Sequence, residues 1–203
     1  FQVTVNDPDT TGSTLTLILA GVALSSLAGA LTSLVLNLSP NPFAAYEIIF
    51  WLLGSLKDRS LVHAAIALPL IGLGSVLLFA TARALDALSL GEESAASLGV
   101  SVPRTRILIV TGVALSVGAT AAIAGSIGFI GLVVPHLIRP LTSRLPGSLL
   151  LPSALGGASL LLAADIAVRL VIPGRELNVG VFTALIGAPF FLWLVMASRR
   201  ETA

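Results

Sequence analysis

Five stretches of this chain, residues 14–38, 61–82, 107–138, 145–164 and 177–198, each run for twenty residues or more without an Asp, Glu, Lys or Arg. A hydrocarbon core about 30 Å thick is crossed by about 20 apolar helical residues, so four of these are each long enough to cross once. The fifth, 107–138, is 32 residues long. As one helix it would measure about 48 Å and need a steeper tilt than the usual 0–40°. Gly125, Gly128 and Gly131 lie in its middle, and glycine has the lowest helix propensity of any residue but proline. The expected division is a span over 107–126 followed by a short piece reaching about Leu141. If the short piece crosses, the basic residues split 7 to 4 between the two sides, and if it does not they split 5 to 6. The excess of Lys and Arg on cytoplasmic loops therefore favours six spans with both termini in the cytoplasm. Residues 83–106 are then cytoplasmic too, and 37–60 and 173–176 face outside.

Composition agrees with a membrane bundle and removes other classes. The chain is 56% hydrophobic and 10% charged, with a mean hydropathy of +1.02, against roughly 25% charge in a soluble domain. A net charge of +1 provides no basic field for nucleic acid. There is no cysteine, and His63 and His136 are the two histidines, so thiolate chemistry is excluded and no metal centre is expected. Lys57, the single lysine, lies outside any glycine-rich phosphate loop, so this chain does not hydrolyse ATP, and no Ser, His and acid set forms a catalytic elbow. It opens on the polar, acidic FQVTVNDPDTTGS, unlike a signal peptide, and an internal start with upstream sequence missing is expected. The spans are rich in Ala, Gly and Ser, which let helix backbones approach closely in lipid. The fold expected is all-α: a polytopic transmembrane bundle of about six spans in one domain over 1–203, with a short outer helix and short cytoplasmic helices.

Two segments are too short to span and too patterned to be plain loops. Residues 42–56, PFAAYEIIFWLLGSL, read as a helix at the outer interface, either an aromatic anchor through Tyr46 and Trp51 or an external gate. In the loop 84–103, Ser89 or Gly91 can start a helix with Glu92 and Glu93 in its first turn, and Gly99 can end it. Ala95 and Leu98 would share one face, with Val100 and Val102 beyond. Such a face is either a partner surface or the inner side of a solvated connector.

The motifs GEESAASLGV at 91–100, AAIAGSIGFIGLVVPHLIR at 121–139, LLLAADIAVRL at 160–170 and ELNVGVFTALIGAPFFLWL at 176–194 occur in this order. From about Thr14 to its end the chain closely resembles the FecCD-type permease subunits of bacterial and archaeal ABC importers for cobalamin, iron-siderophores and haem. Those permeases have about ten spans, so the resemblance implies that this is the C-terminal six, with the N-terminal four absent. It implies a second permease subunit, a homodimer by expectation, around a central pathway, P-loop ATPases carrying ATP and magnesium beneath, and a substrate-binding protein outside, all in the cytoplasmic membrane. It places 14–38 on the pathway. It makes Leu90, Gly91, Glu92, Glu93, Ala95, Leu98, Gly99 and Val100 the surface that couples to the ATPase.

Alternating access needs an element that transmits force and helices that repack. The expected transmitter is 90–102, and the expected hinge is Gly125, Gly128, Gly131 and Pro135. Asp165 and Arg169 stand four residues apart, on one helix face where they can pair. Charge inside a bilayer marks function by default, so they are either a structural ion pair near the outer end of their span or a pathway or proton relay. His136 is expected to pack or cap, His63 to anchor at the outer interface, and Glu47 and Arg175 to face a binding protein. The rival classes are a secondary transporter with Asp165 as the coupling site, and a truncated fragment that transports nothing.

Overall fold

The computed structural model describes residues 8–143, 145–171 and 177–200, which are mostly helical with no strand among them. The chain divides into two compact units, Phe1–Ile49 and Phe50–Ala203.

The first unit holds α1 (Pro8–Leu38) and most of α2 (Pro42–Leu52). The apolar window Ile18–Leu38 of α1 has a mean hydropathy of 2.0. Its Ser26 and Thr32 hydroxyls donate back to the Val22 and Ala28 carbonyls, which satisfies them without water. The Asn41 side chain accepts the Phe43 N–H at 3.0 Å and so caps the start of α2.

In the second unit α3 (Leu61–Ala80) packs on α6 (Val102–Ala124) through small residues. A methyl group on Gly74 would lie 2.6 Å from the Gly112 carbonyl oxygen, and one on Gly112 would lie 2.9 Å from that of Gly74. The two backbones touch, which is how helices associate where lipid supplies no hydrophobic drive. At its start, α3 is capped by His63, whose Nδ1 accepts the Ser60 N–H at 3.2 Å and lies 2.8 Å from the Ser60 hydroxyl. At its end, buried Thr81 separates α3 from α4 (Ala82–Leu88), and α5 (Glu92–Ser97) follows before α6.

Beyond α6 come non-helical residues 125–128, α7 (Ile130–Ile138) with a 3-10 turn Arg139–Leu141, α8 (Pro146–Val171) and α9 (Val179–Arg200). Backbone bonds join Ser126 to Leu52 and Gly180 to Gly54, so the end of α6 and the start of α9 lie together. The start of α8 lies at the opposite end of the bundle, where the Gly147 N–H reaches Asp86 of α4. The nine-residue α7 and its flanks therefore run from one end of the bundle to the other. The helix alone covers about 13.5 Å, and the non-helical residues before it and the 3-10 turn after it supply the rest. This is a broken crossing, divided where the glycines predict. By length and apolarity four helices qualify as spans among the described residues, ending at Leu38, Ala80, Ala124 and Leu170, and Ile130–Leu141 and Val179–Trp193 are shorter apolar helices. Compared with expectation, α6 starts earlier, at Val102, while α8 runs to Val171 and carries Asp165 and Arg169 on one helix as expected.

Replacing Gly112 by Val should destabilise the α3–α6 pair by about 1–3 kcal/mol through overpacking. Gly118 on the same helix has open space around it, and Gly118→Val should leave the unfolding midpoint in detergent unchanged.

Candidate functional site

Helices α4 and α5 form one module held by glycine geometry. Gly91 starts α5 with φ +104° and Gly99 follows its end with φ +82°. The Val100 N–H donates to the Ala95 carbonyl at 3.0 Å and the Gly99 N–H to that of Ala96 at 2.9 Å. That pair of bonds is a Schellman motif, and the left-handed residue it requires is the glycine the sequence supplies. Ala95 is wholly buried, while Leu90 and Leu98 are 67% and 66% exposed. The apolar face available to a partner is therefore Leu90 with Leu98, and Ala95 is the inward anchor instead of Leu98's companion. Glu92 pairs with Arg106 of α6 at 3.5 Å with both side chains partly exposed, a contact of at most about 1 kcal/mol that salt screens further. Glu93 is exposed, and its carbonyl accepts the Ser97 hydroxyl at 2.7 Å.

At the other end of the bundle three glycines meet in a backbone clasp. A methyl on Gly54 would lie 2.8 Å from the Ser126 carbonyl carbon, one on Gly125 3.0 Å from Gly54 N and Cα, and one on Gly180 2.5 Å from the Ser126 oxygen. The Ser55 N–H donates to the Ala124 carbonyl at 2.8 Å and the Gly180 N–H to that of Gly54 at 3.0 Å. Buried Asn178 completes the clasp by donating its Nδ2 to the Phe50 carbonyl at 3.1 Å. These bonds satisfy the backbone that α6 leaves at its end.

The residues expected as a hinge thus differ in setting. Gly125 is locked in the clasp at φ +73°, whereas Gly128 and Gly131 have open space around them. Pro135 lies inside α7, where it lacks the N–H that would bond the Gly131 carbonyl. Phe129 adopts φ +66° and starts α7 with its ring against Gly187 of α9, a left-handed conformation that is strained for a bulky residue. Between α7, α8 and α9 lies an apolar cavity of about 200 Å³ lined by Phe129, Val133, Leu160, Phe182 and Phe190 among others.

Asp165 and Arg169 form a two-pronged ion pair, Nε to Oδ2 at 2.8 Å and a terminal guanidinium nitrogen to Oδ1 at 3.4 Å. Asp165 is 16% exposed and Arg169 57%. His136 is exposed in the last turn of α7, and Glu47 is exposed on α2. Arg175 lies outside the described residues. No group of three or more His, Asp or Glu among the described residues is placed to hold a metal ion.

Sequence reasoning missed Asp86, Gly54, Asn178 and Gly180. An Asn just before an apolar run signals a helix start, so Asn178 had a local signal. Its partner Phe50, 128 positions away, had none.

The sequence profile of the FecCD transport family matches residues 3–197. The chain belongs to this family. It is 44% identical over 184 residues to the Fe(3+) dicitrate transport system permease protein FecD of Escherichia coli (strain K12), covering 90% of this chain and 57% of that protein. Against the hemin transport system permease protein HmuU of Yersinia pestis the identity is 38%, over 94% of this chain and 57% of the relative. Against the cobalamin import system permease protein BtuC of Halobacterium salinarum it is 43%, over 90% and 48%. The chain thus spans about half the length of the curated relatives it matches. Its fold is similar to a solved structure of an inward-facing transporter assigned to the metal-chelate ABC type, with a TM-score of 0.81 and 36% identity over 93% of this chain and 61% of that one.

Gly99→Ala should strain the Schellman turn by about 1 kcal/mol. The Val100 amide, bonded to Ala95, should then exchange with solvent about fivefold faster, while amides in the middle of α6 keep their rates, as read by hydrogen–deuterium exchange.

Proposed function

We propose that this chain is the C-terminal part of the permease subunit of an ABC importer, taking an iron-siderophore, haem or cobalamin-type substrate inward by alternating access. Membership in the family supports the class of protein. The single observation that carries the mechanism is the α4–α5 module, a rigid pair of short helices presenting exposed Leu90 and Leu98 at the end of the bundle opposite the clasp. Short helices with an apolar outer face and a buried anchor suit docking into a groove on another protein. The partner we infer is a cytoplasmic P-loop ATPase, which would hold the ATP and magnesium that drive the cycle.

Charge supports the same orientation. Arg83, Arg104, Arg106 and Arg139 lie at the α4 end of the second unit, against Lys57, Arg59 and Arg169 toward the clasp. An excess of basic residues marks the cytoplasmic side, so the α4 end is assigned to the cytoplasm and the clasp to the outside, with both termini cytoplasmic. A second permease subunit of the same kind and an extracytoplasmic binding protein complete the assembly, the latter reached by Glu47 and Arg175. The open glycines Gly128 and Gly131, with Pro135 and the cavity beside α7, would give that helix room to shift. Asp165 held on two prongs by Arg169 favours a structural pair over a proton-coupling site.

The test is co-purification of the complete permease with its ATPase, comparing the natural chain with a Leu90→Asp, Leu98→Asp double variant. The ATPase should accompany the natural chain and be lost at least about tenfold in the variant, since two charges placed in an apolar contact are left without partners. Equal recovery would remove the coupling surface from this face. Substrate uptake that needs no ATPase and is abolished by Asp165→Asn would instead establish secondary transport.

A further inference from the structure

Helix α8 carries no acidic residue in its first turn. Ser148 in that turn donates its hydroxyl to the Leu145 carbonyl at 2.7 Å and accepts from the Ser143 hydroxyl at 2.8 Å. An acceptor comes from another helix: Asp86 of α4, 61 positions earlier, takes the Gly147 N–H on Oδ1 at 2.6 Å. A carboxylate facing the positive end of a 26-residue helix is well placed, and a hydrogen bond to an ionised acceptor is about twice as strong as a neutral one. The approach is close enough to demand glycine. A methyl on Gly147 would stand 2.6 Å from the Ala82 oxygen and 2.7 and 2.9 Å from the two Asp86 carboxylate oxygens.

Asp86 is also tied to the exposed edge of the module. The Ser89 hydroxyl donates to the Asp86 carbonyl at 2.6 Å, and the Leu90 N–H donates to Ala87 at 3.0 Å. Leu90 and Ser89 thus close the last turn of α4 onto Ala87 and Asp86, and the Asp86 carboxylate joins that turn to α8. An ion pair between the module and α6, Glu92 with Arg106, is longer at 3.5 Å and partly exposed. Helix α8 in turn carries α7. A methyl on Gly156 of α8 would lie 3.0 Å from a Val134 methyl, with the Ile138 side chain closer still.

We propose that Asp86 is a positioning residue that fastens the α4–α5 module to the start of α8, so that displacement of the module moves α8 and, through it, the broken crossing α7. This rests on the reading of Leu90 and Leu98 as the ATPase contact, and it adds the path by which that contact reaches the membrane. Residue pairs on the route are Leu90 with Ala87, Ser89 with Asp86, Asp86 with Gly147, and Gly156 with Val134.

The experiment compares the assembled transporter with Asp86→Ala, Asp86→Asn and Ser148→Ala variants, measuring ATPase recovery, ATP hydrolysis and substrate taken up per ATP hydrolysed. Asp86→Ala should retain its ATPase and lose uptake per ATP by about tenfold or more, the factor expected for one charge-assisted hydrogen bond. Asp86→Asn, with an oxygen of the same reach but no charge, should fall between Ala and the natural residue. Ser148→Ala, at the same helix start, should match the natural protein. If Asp86→Ala fails to accumulate, the Asp86→Asn variant decides, since it must show a smaller loss in the same ratio with its ATPase still bound. An unchanged ratio in either variant overturns the proposal. So does loss of ATPase binding in step with the loss of uptake, which would make Asp86 part of the docking surface. Failure of the natural permease to bind any ATPase would instead sink the proposed function itself, and is read before any variant.

Discussion

The constraint on which this architecture depends is that backbone polar groups at membrane depth need partners inside the protein. Helix α6 stops at Ala124 and the chain is non-helical before α7 begins at Ile130. A break of that kind leaves carbonyls and N–H groups without partners in their own helix. The clasp supplies what they need: Ser55 bonds Ala124, Ser126 bonds Leu52, and Gly180 bonds Gly54. Side chains would keep these strands of backbone apart, so Gly54, Gly125 and Gly180 are where they meet. The start of α9, the end of α2 and the end of α6 are positioned together by this one requirement.

Directly after that anchored end comes α7, whose local geometry is of a different kind. Phe129 is held left-handed against Gly187, Gly128 and Gly131 have space around them, and Pro135 omits one rung of the helix ladder. The nine-residue α7 borders an apolar cavity, whereas in the α3–α6 pair glycines bring two backbones into contact. Packed interfaces tend to hold discrete arrangements while short elements shift between them. The division of the second unit into a rigid pair and a broken crossing follows from where its small residues stand.

Much of this was legible before any coordinates. Uncharged runs of twenty or more residues mark the spans because a bilayer core has one thickness. Glycines at 125, 128 and 131 mark the break because no single helix of that length fits. Gly91 and Gly99 bracket α5 because a left-handed residue after a helix is most easily a glycine, and the motifs that carry the family resemblance were quotable as they stand. Less legible was the face of α5. Spacing put Ala95 and Leu98 together, but the packing of the module against its neighbours buried the first and left the second outside.

The sequence by itself determined that this is a helical membrane chain of the FecCD family, with a patterned loop between two spans and a divided crossing near its centre, because those features are local in hydropathy and glycine placement. Tertiary structure decided which ends meet. Asp86 and Gly147 lie 61 positions apart, and Asn178 and Phe50 lie 128 apart. Neither pair has any local periodicity to announce it, since a hydrogen bond between helices depends on how whole elements are laid side by side and not on the residues flanking either partner.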